Sequence, residues 1–195
     1  MAYPTVSAPY GFQPINRVDG MPYAGATRQI NISGSYNTAI YNGDLVVVVT
    51  GGTLEKYTGT TTGSPVGVFM GVQYVNAQSQ TVQAQYYPGT SVTNAVAYVV
   101  DDPMAAFKVA VTDGSSVMSS AARAAIGSNM SVVQGTGSAT SGDSAQSVLA
   151  GSEATTAALP IRVIDVVPAT ATGTDTFVEL VVKINLHQYN NTTGV

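Results

Sequence analysis

Val66-Gly67-Val68-Phe69-Met70-Gly71-Val72-Gln73-Tyr74 decides the fold class of this chain. Its even positions carry Val66, Val68, Met70, Val72 and Tyr74, while its odd positions include two glycines and a glutamine. Alternate side chains of an extended strand point to opposite faces, so this spacing predicts one packed face and one lightly covered face. Thr81-Val82-Gln83-Ala84-Gln85-Tyr86 alternates polar and apolar residues, and Lys108 sits between Phe107 and Val109. Both patterns fit strands with one side in water or against a polar partner.

Working outward, Val, Ile, Thr and Tyr recur in short runs bounded by Gly, Pro, Asn or Asp, the composition of strands between turns. The expected strands cover residues 26–32, 45–50, 53–57, 66–75, 81–86, 95–100, 106–111, 161–167 and 176–186. Asn42-Gly43-Asp44 and Gly51-Gly52 supply positions that tolerate positive φ, so residues 45–57 read as a hairpin. Residues 119–126 read as a helix of two turns at most, with Ser119 or Ser120 as its cap and Gly127 as its stop. The fold class is therefore all-β: an antiparallel sandwich or barrel with an extended N-terminal arm and one short helix.

Residues 1–25 combine Tyr3, Pro4, Pro9, Tyr10, Phe12, Pro14, Pro22 and Tyr23. Prolines disfavour regular ladders and aromatic rings anchor, so an arm lying across a surface is expected here. Residues 26–195 read as a single β-rich domain, long enough for one sizeable core or two small ones. Within it, residues 134–158 shift to Gly, Ser, Thr and Ala, the composition of a loop that is mobile unless a neighbour holds it. Deletion within residues 135–144 is expected to leave the fold intact.

Only 9% of the 195 residues are charged, against roughly 25% in an ordinary soluble domain. A polar yet nearly uncharged surface suits permanent assembly better than free diffusion. The net charge is -4, and Arg17, Arg28, Lys56, Lys108, Arg123, Arg162 and Lys183 stand singly, so no basic stripe awaits nucleic acid. The longest clean apolar run is Leu45–Val49, too short for a bilayer, and the opening residues lack the pattern of a secretory signal. With no cysteine, disulfides, thiolate nucleophiles and Cys-based metal sites are excluded.

His187 is the one histidine, so no His-rich ligand set exists within one chain, and a metal would need one His187 from each subunit around a symmetry axis. An ordinary polar or interface histidine is the plainer expectation. Asp101-Asp102-Pro103 reads as a solvated turn at a strand end, and Asp165 and Glu179 are expected to pair with Arg162 or Lys183. No serine lies in a Gly-x-Ser-x-Gly elbow, and Gly135-Thr136-Gly137 lacks the remainder of any phosphate-binding fingerprint. These absences predict neither a catalytic residue nor a cofactor, and no enzymatic activity.

Ala-Pro-Tyr-Gly-Phe-Gln-Pro at 8–14 and Tyr-Ala-Gly-Ala-Thr-Arg-Gln-Ile at 23–30 resemble segments of small virion structural proteins of tailed bacteriophages, especially of aquatic and cyanobacterial hosts. Residues 63–72, 96–103 and 159–168 carry the same resemblance. It is strongest to capsid decoration, or cement, proteins. It implies a compact β-rich protein made in the host cytoplasm, bound to the major capsid protein on the outside of the virion head and assembled with itself, a homotrimer being favoured. Tyr3, Pro4, Tyr10, Phe12, Arg17, Tyr23, Arg28, His187 and Tyr189 are the expected capsid or subunit contacts. A phage tail-tube or other tail component is the alternative within assembly. A carbohydrate-binding module is the alternative outside it, weakened by eleven tyrosines without a tryptophan.

Overall fold

A computed structural model describes residues 6–112, 122–171, 177–191 and 194. In chain order its strands are β1 Gln13–Arg17, β2 Arg28–Asn31, β3 Leu45–Val49, β4 Thr53–Lys56, β5 Gly67–Asn76, β6 Thr81–Ala84, β7 Val92–Val100, β8 Ala105–Thr112, β9 Asn129–Met130, β10 Val132–Val133, β11 Ser147–Leu149, β12 Ile161–Val166 and β13 Glu179–Ile184. The chain is all-β, and its strands form two sheets.

The first sheet has the order β10-β11-β8-β13-β12-β9, with β1 also on β8. Its two ends are consecutive pieces of one segment, separated only by Ser131. The sheet therefore curls into a nearly closed barrel, which removes most of its free edge. Phe107, Val109, Val111, Met130, Val148, Ile161, Val163, Leu180 and Val182 belong to one buried cluster within it. Each such side chain contributes roughly 1.5–3 kcal/mol by leaving water. All pairings here are antiparallel except β11 with β8, which is parallel.

The second sheet runs β2-β7-β5-β3-β4, with β6 also on β5. Its end strands approach through a parallel bridge between Ile32 and Leu54. Ile30, Ile32, Ile40, Val46, Leu54, Phe69, Val72, Tyr87 and Val99 form a separate buried cluster. The expected hairpin is present as β3 and β4, paired from Val46–Lys56 to Val49–Thr53, with Gly51 and Gly52 at φ of 102° and 75° in its tip.

β5 departs from its sequence pattern in detail. Phe69 pairs with Val99 and Gly71 with Tyr98, so Met70 is an extra residue, a β-bulge. The bulge inverts the alternation beyond it: Val68 joins the first cluster, while Phe69 and Val72 both join the second. Both faces of β5 are therefore packed, and the expected lightly covered face does not exist. Leu45, Tyr57 and Val100 join Val68 in the first cluster, so the two sheets share a wall in a sandwich-like arrangement.

The expected helix is reduced to a 3-10 turn at Ala122–Ala125, stopped by Gly127 at φ of 87°; residues 119–121 lie outside the described residues. The N-terminal segment is likewise more than an arm. β1 pairs with β8, with Ile15 accommodated as an irregularity between Pro14 and Asn16, and Phe12 is fully buried. The proline at 14 is compatible with a ladder because β1 lies at an edge.

The chain thus enters the first sheet at β1, builds the second from β2 to β7, and returns at β8. The two crossings are tied together: the Val18 amide donates to the Met104 carbonyl at 2.8 Å, and Arg17 Nη1 lies 2.7 Å from Asp102 Oδ2.

Candidate functional site

The seam of the second sheet is where expected contact residues from distant parts of the chain converge. After β13 the chain crosses from the first sheet to the second as Asn185–Asn191. Gln188 makes the central attachment: its Oε1 accepts from the Val48 amide at 3.0 Å and its Nε2 donates to the Val48 carbonyl at 2.7 Å. One side-chain amide thus does for β3 what a neighbouring strand would do. Its own amide donates to the Pro65 carbonyl at 3.1 Å, and Asn191 Nδ2 donates to Ser64 Oγ at 2.9 Å. A cleft of about 500 Å³ remains beside this segment, lined among others by Arg28, Ile30, Asn31, Val48, Gln188 and Tyr189.

Asp101 organises the mouth of the seam. Its Oδ2 lies 2.8 Å from Arg28 Nε and accepts from the Tyr189 hydroxyl at 2.9 Å, while the Arg28 guanidinium stacks 5.2 Å from the Tyr189 ring centre. Burial pushes the Tyr189 phenol up, and Asp101 adds to the rise. His187 lies behind this group, 1% exposed, with its ring 5.2 Å from that of Tyr189. Its Nδ1 accepts from the Tyr189 amide at 3.2 Å and so caps the 3-10 turn Gln188–Asn190. Burial pulls its pKa below the ordinary value, although Asp101, Asp102 and the backbone of Val66 and Asp101 act in the opposite sense.

The expected solvated turn at Asp101-Asp102 is therefore a junction instead. The two carboxylates point to different partners, as neighbours on extended chain must: Asp101 to Arg28 and Tyr189, Asp102 to Arg17 and to the Met104 amide at 2.8 Å.

The N-terminal contact residues lie elsewhere. The Tyr10 hydroxyl donates to Glu179 Oε1, and Lys108 Nζ lies 3.2 Å from the same oxygen and 5.5 Å from the Tyr10 ring centre. Burial, with Glu179 second, pushes the Tyr10 phenol far up. The partner of Glu179 is thus Lys108, where Arg162 or Lys183 was expected; Arg162 donates to Asn129 Oδ1 at 2.9 Å, and Asp165 accepts from the Val166 amide. Phe12 fills the first core and offers no surface for a partner. Arg17 is held by Asp19 and Asp102, and Tyr23 packs half-buried against the first cluster. Tyr3 and Pro4 lie outside the described residues.

Residues 134–147 overturn the expectation of a dispensable loop. Asp44, fully buried, accepts from Ser144 Oγ at 2.6 Å and the Tyr41 amide at 2.8 Å, and Lys56 Nζ lies 3.0 Å from it. Gln146, also fully buried, accepts from the Leu45 amide at 2.8 Å and donates to Gln134 Oε1 at 2.7 Å. Its carbonyl accepts from the Gly11 amide. A buried carboxylate is tolerable only when paired and hydrogen-bonded, and these residues complete that set. Gly135 is required sterically: a Cβ there would sit 2.0 Å from the Ala145 carbonyl oxygen. The neighbour that holds the segment is the second sheet.

Sequence reading named Arg28, His187 and Tyr189 but not Asp101 as their common partner, and it missed Gln188 and the Asp44–Ser144–Gln146 network. Polar residues in a chain rich in Ser, Thr, Asn and Gln carry no local mark of burial. Comparison with protein-family models, with curated proteins and with solved structures finds no match.

Proposed function

We propose that this chain is a structural subunit of a tailed-bacteriophage particle, a cement protein that binds the outer surface of the capsid and stabilises it. The observation that carries the reading is how the chain spends its few charges. Arg17, Arg28, Lys56 and Lys108 are all ion-paired within the chain, to Asp19 and Asp102, Asp101, Asp44 and Glu179. Lys108–Glu179 joins β8 to β13 and the other pairs hold a strand to a turn or crossing; with 9% of residues charged, the outer surface carries mostly uncharged polar groups and a few apolar side chains beside these paired charges. Ile15, Val18 and Met21 are 44%, 38% and 59% exposed along one short stretch, and Tyr189 is 45% exposed at the seam. Such a surface docks through fit and area, with little desolvation of charge to offset.

The resemblance of residues 8–14, 23–30, 63–72, 96–103 and 159–168 to virion structural proteins supplies the partner, the major capsid protein, and favours a trimer. Each bound copy stabilises the shell by mass action, and a trimer engaging repeated sites gains avidity without any bond chemistry.

Purified protein added to undecorated heads is expected to bind in a regular, saturable array and to raise the temperature at which the heads rupture. Absence of binding to heads from an otherwise intact particle overturns the reading. Antibody labelling confined to tails moves the chain to the tail, and retention on a glycan array without head binding moves it to carbohydrate recognition.

A further inference from the structure

We propose that Asn185–Asn191 is an acid-released strap: protonation of His187 undocks it from the second sheet and uncovers the edge of β3. The inference stands on the geometry of the seam and is independent of the proposed role in a virion.

The strap is fixed by few bonds, and His187 sits at their centre. Asn185 anchors its start to the Ala157, Leu159 and Pro160 carbonyls; beyond that, Gln188 holds Val48 and the Pro65 carbonyl, Tyr189 holds Asp101, and Asn191 reaches Ser64. His187 Nδ1 must be unprotonated to accept the Tyr189 amide, so the neutral ring carries its proton on Nε2. That Nε2 is buried and has no hydrogen-bond partner among the described residues. In the docked neutral ring this donor has only the backbone of Val66 and Asp101 nearby and no well-formed bond, so it adds little to the attachment. A second proton makes matters worse in two ways. It sets an Nδ1–H against the Tyr189 N–H, removing the cap of the turn that presents Gln188 and Tyr189. It also places a cation at a site 1% exposed.

The charged groups around the ring settle whether the cation could be accommodated in place. Asp101 and Asp102, on the crossing between β7 and β8, favour it, as does the backbone of Val66 and Asp101, but burial opposes it more strongly. Asp101 is already engaged by Arg28 from β2 and by the Tyr189 hydroxyl, and Asp102 by Arg17 from β1. Their charge is largely balanced by two guanidinium groups, so the net effect on His187 is a lowered pKa dominated by burial. Swinging the strap outward solvates both ring nitrogens at once. It also frees the Val48 amide and carbonyl from Gln188 and removes one wall of the cleft, leaving an open strand edge able to pair with another extended chain.

The sign follows from linkage. A His whose docked pKa lies below about 6.5 favours docking fully above that pH; docking weakens as pH falls, by at most about tenfold per unit, until the docked pKa is passed. Hydrogen exchange of the full chain between pH 7.5 and 4.5, corrected for intrinsic rates, tests this. Protection at Gln188, Tyr189 and Val48 is expected to fall severalfold on acidification, with β8 and β13 unchanged. His187→Asn keeps a side-chain cap on the turn without a titrating group, so its protection at these amides is expected to be independent of pH. An acid loss of equal size in H187N, or none in the wild type, overturns the proposal. Because the chain has one histidine, its ring proton resonance gives a second reading that needs no variant. A midpoint at or above 6.5, with no accompanying change at Tyr189, overturns it equally.

Discussion

Residues 10–17 and residues 134–147 both read from sequence as peripheral pieces, one aromatic and proline-bearing and the other rich in Gly, Ser and Thr, and the molecule holds them by opposite means. The first is anchored by hydrophobic burial: Phe12 enters the core, and β1 adds one edge to β8. The second buries little apolar surface before β11 and is held by the hydrogen bonds of Asp44, Ser144 and Gln146. Apolar burial is additive and forgiving, whereas a buried polar network fails as a unit when one member is lost.

The largest effect should come from breaking the polar side of this comparison outright. Deleting residues 135–144 removes the Ser144 hydroxyl from buried Asp44 and cuts the chain that delivers Gln146 to Leu45. We expect no soluble, cooperatively melting protein; a normal melt would show the network to be dispensable. Phe12→Ala comes next, with an expected loss of about 3–5 kcal/mol in denaturant unfolding, since the ring is fully buried. A loss below 1 kcal/mol would place Phe12 outside the folding core. Ser144→Ala should be smaller, about 2 kcal/mol, the penalty for leaving a charged acceptor short of one bond.

Alkaline titration probes the wall shared by the sheets. Burial raises the Tyr57 phenol from its ordinary 10 to about 12, and its hydroxyl donates to the Thr62 carbonyl at 2.7 Å. The neutral phenol is favoured only when folded, so its contribution is complete below pH 10 and is lost as pH climbs from 10 to 12. Denaturation midpoints measured across that range should fall, and Tyr57→Phe should make the fall shallower. The smallest effect is Tyr10→Phe, about 1 kcal/mol, because Glu179 keeps Lys108 and, at 6% exposure against 0% for Asp44, some access to water when the Tyr10 bond is lost. A larger loss from Tyr10→Phe than from Phe12→Ala would reverse the assignment of anchor and accessory.

How much was legible in the sequence follows from the same contrast. β3, β5, β7, β8, β12 and β13 announce themselves because Val, Ile, Leu and other apolar residues recur in runs, β2 and β6 lie within stretches of strand composition, and β4 follows from the Gly51-Gly52 turn before it. β9, β10 and β11 have two or three residues each, too few for any period, although they close the first sheet. β1 hid behind Pro14, whose missing amide matters less at an edge than in the middle of a sheet. The bulge at Met70 defeated the face assignment, because one inserted residue exchanges the two sides of everything after it. At the seam, Arg28, His187 and Tyr189 stood out by residue type. Their meeting at Asp101 is a product of tertiary topology, which no local pattern encodes.

The interrupted first sheet carries a consequence for biosynthesis. β1 leaves the ribosome before the whole second sheet, but Gln13 pairs with Lys108, and β8 in turn pairs with β13, which follows every other described strand. The second sheet, whose strands β2 to β7 are consecutive, has all its strand-to-strand pairings available as soon as β7 emerges, while Asp44, Leu45 and Val48 still await Ser144, Gln146 and Gln188. It is therefore positioned to form first, leaving β1 and the buried ring of Phe12 waiting for strands still being translated. During that interval the nascent chain exposes the Phe12 ring, an apolar group in need of a temporary shield.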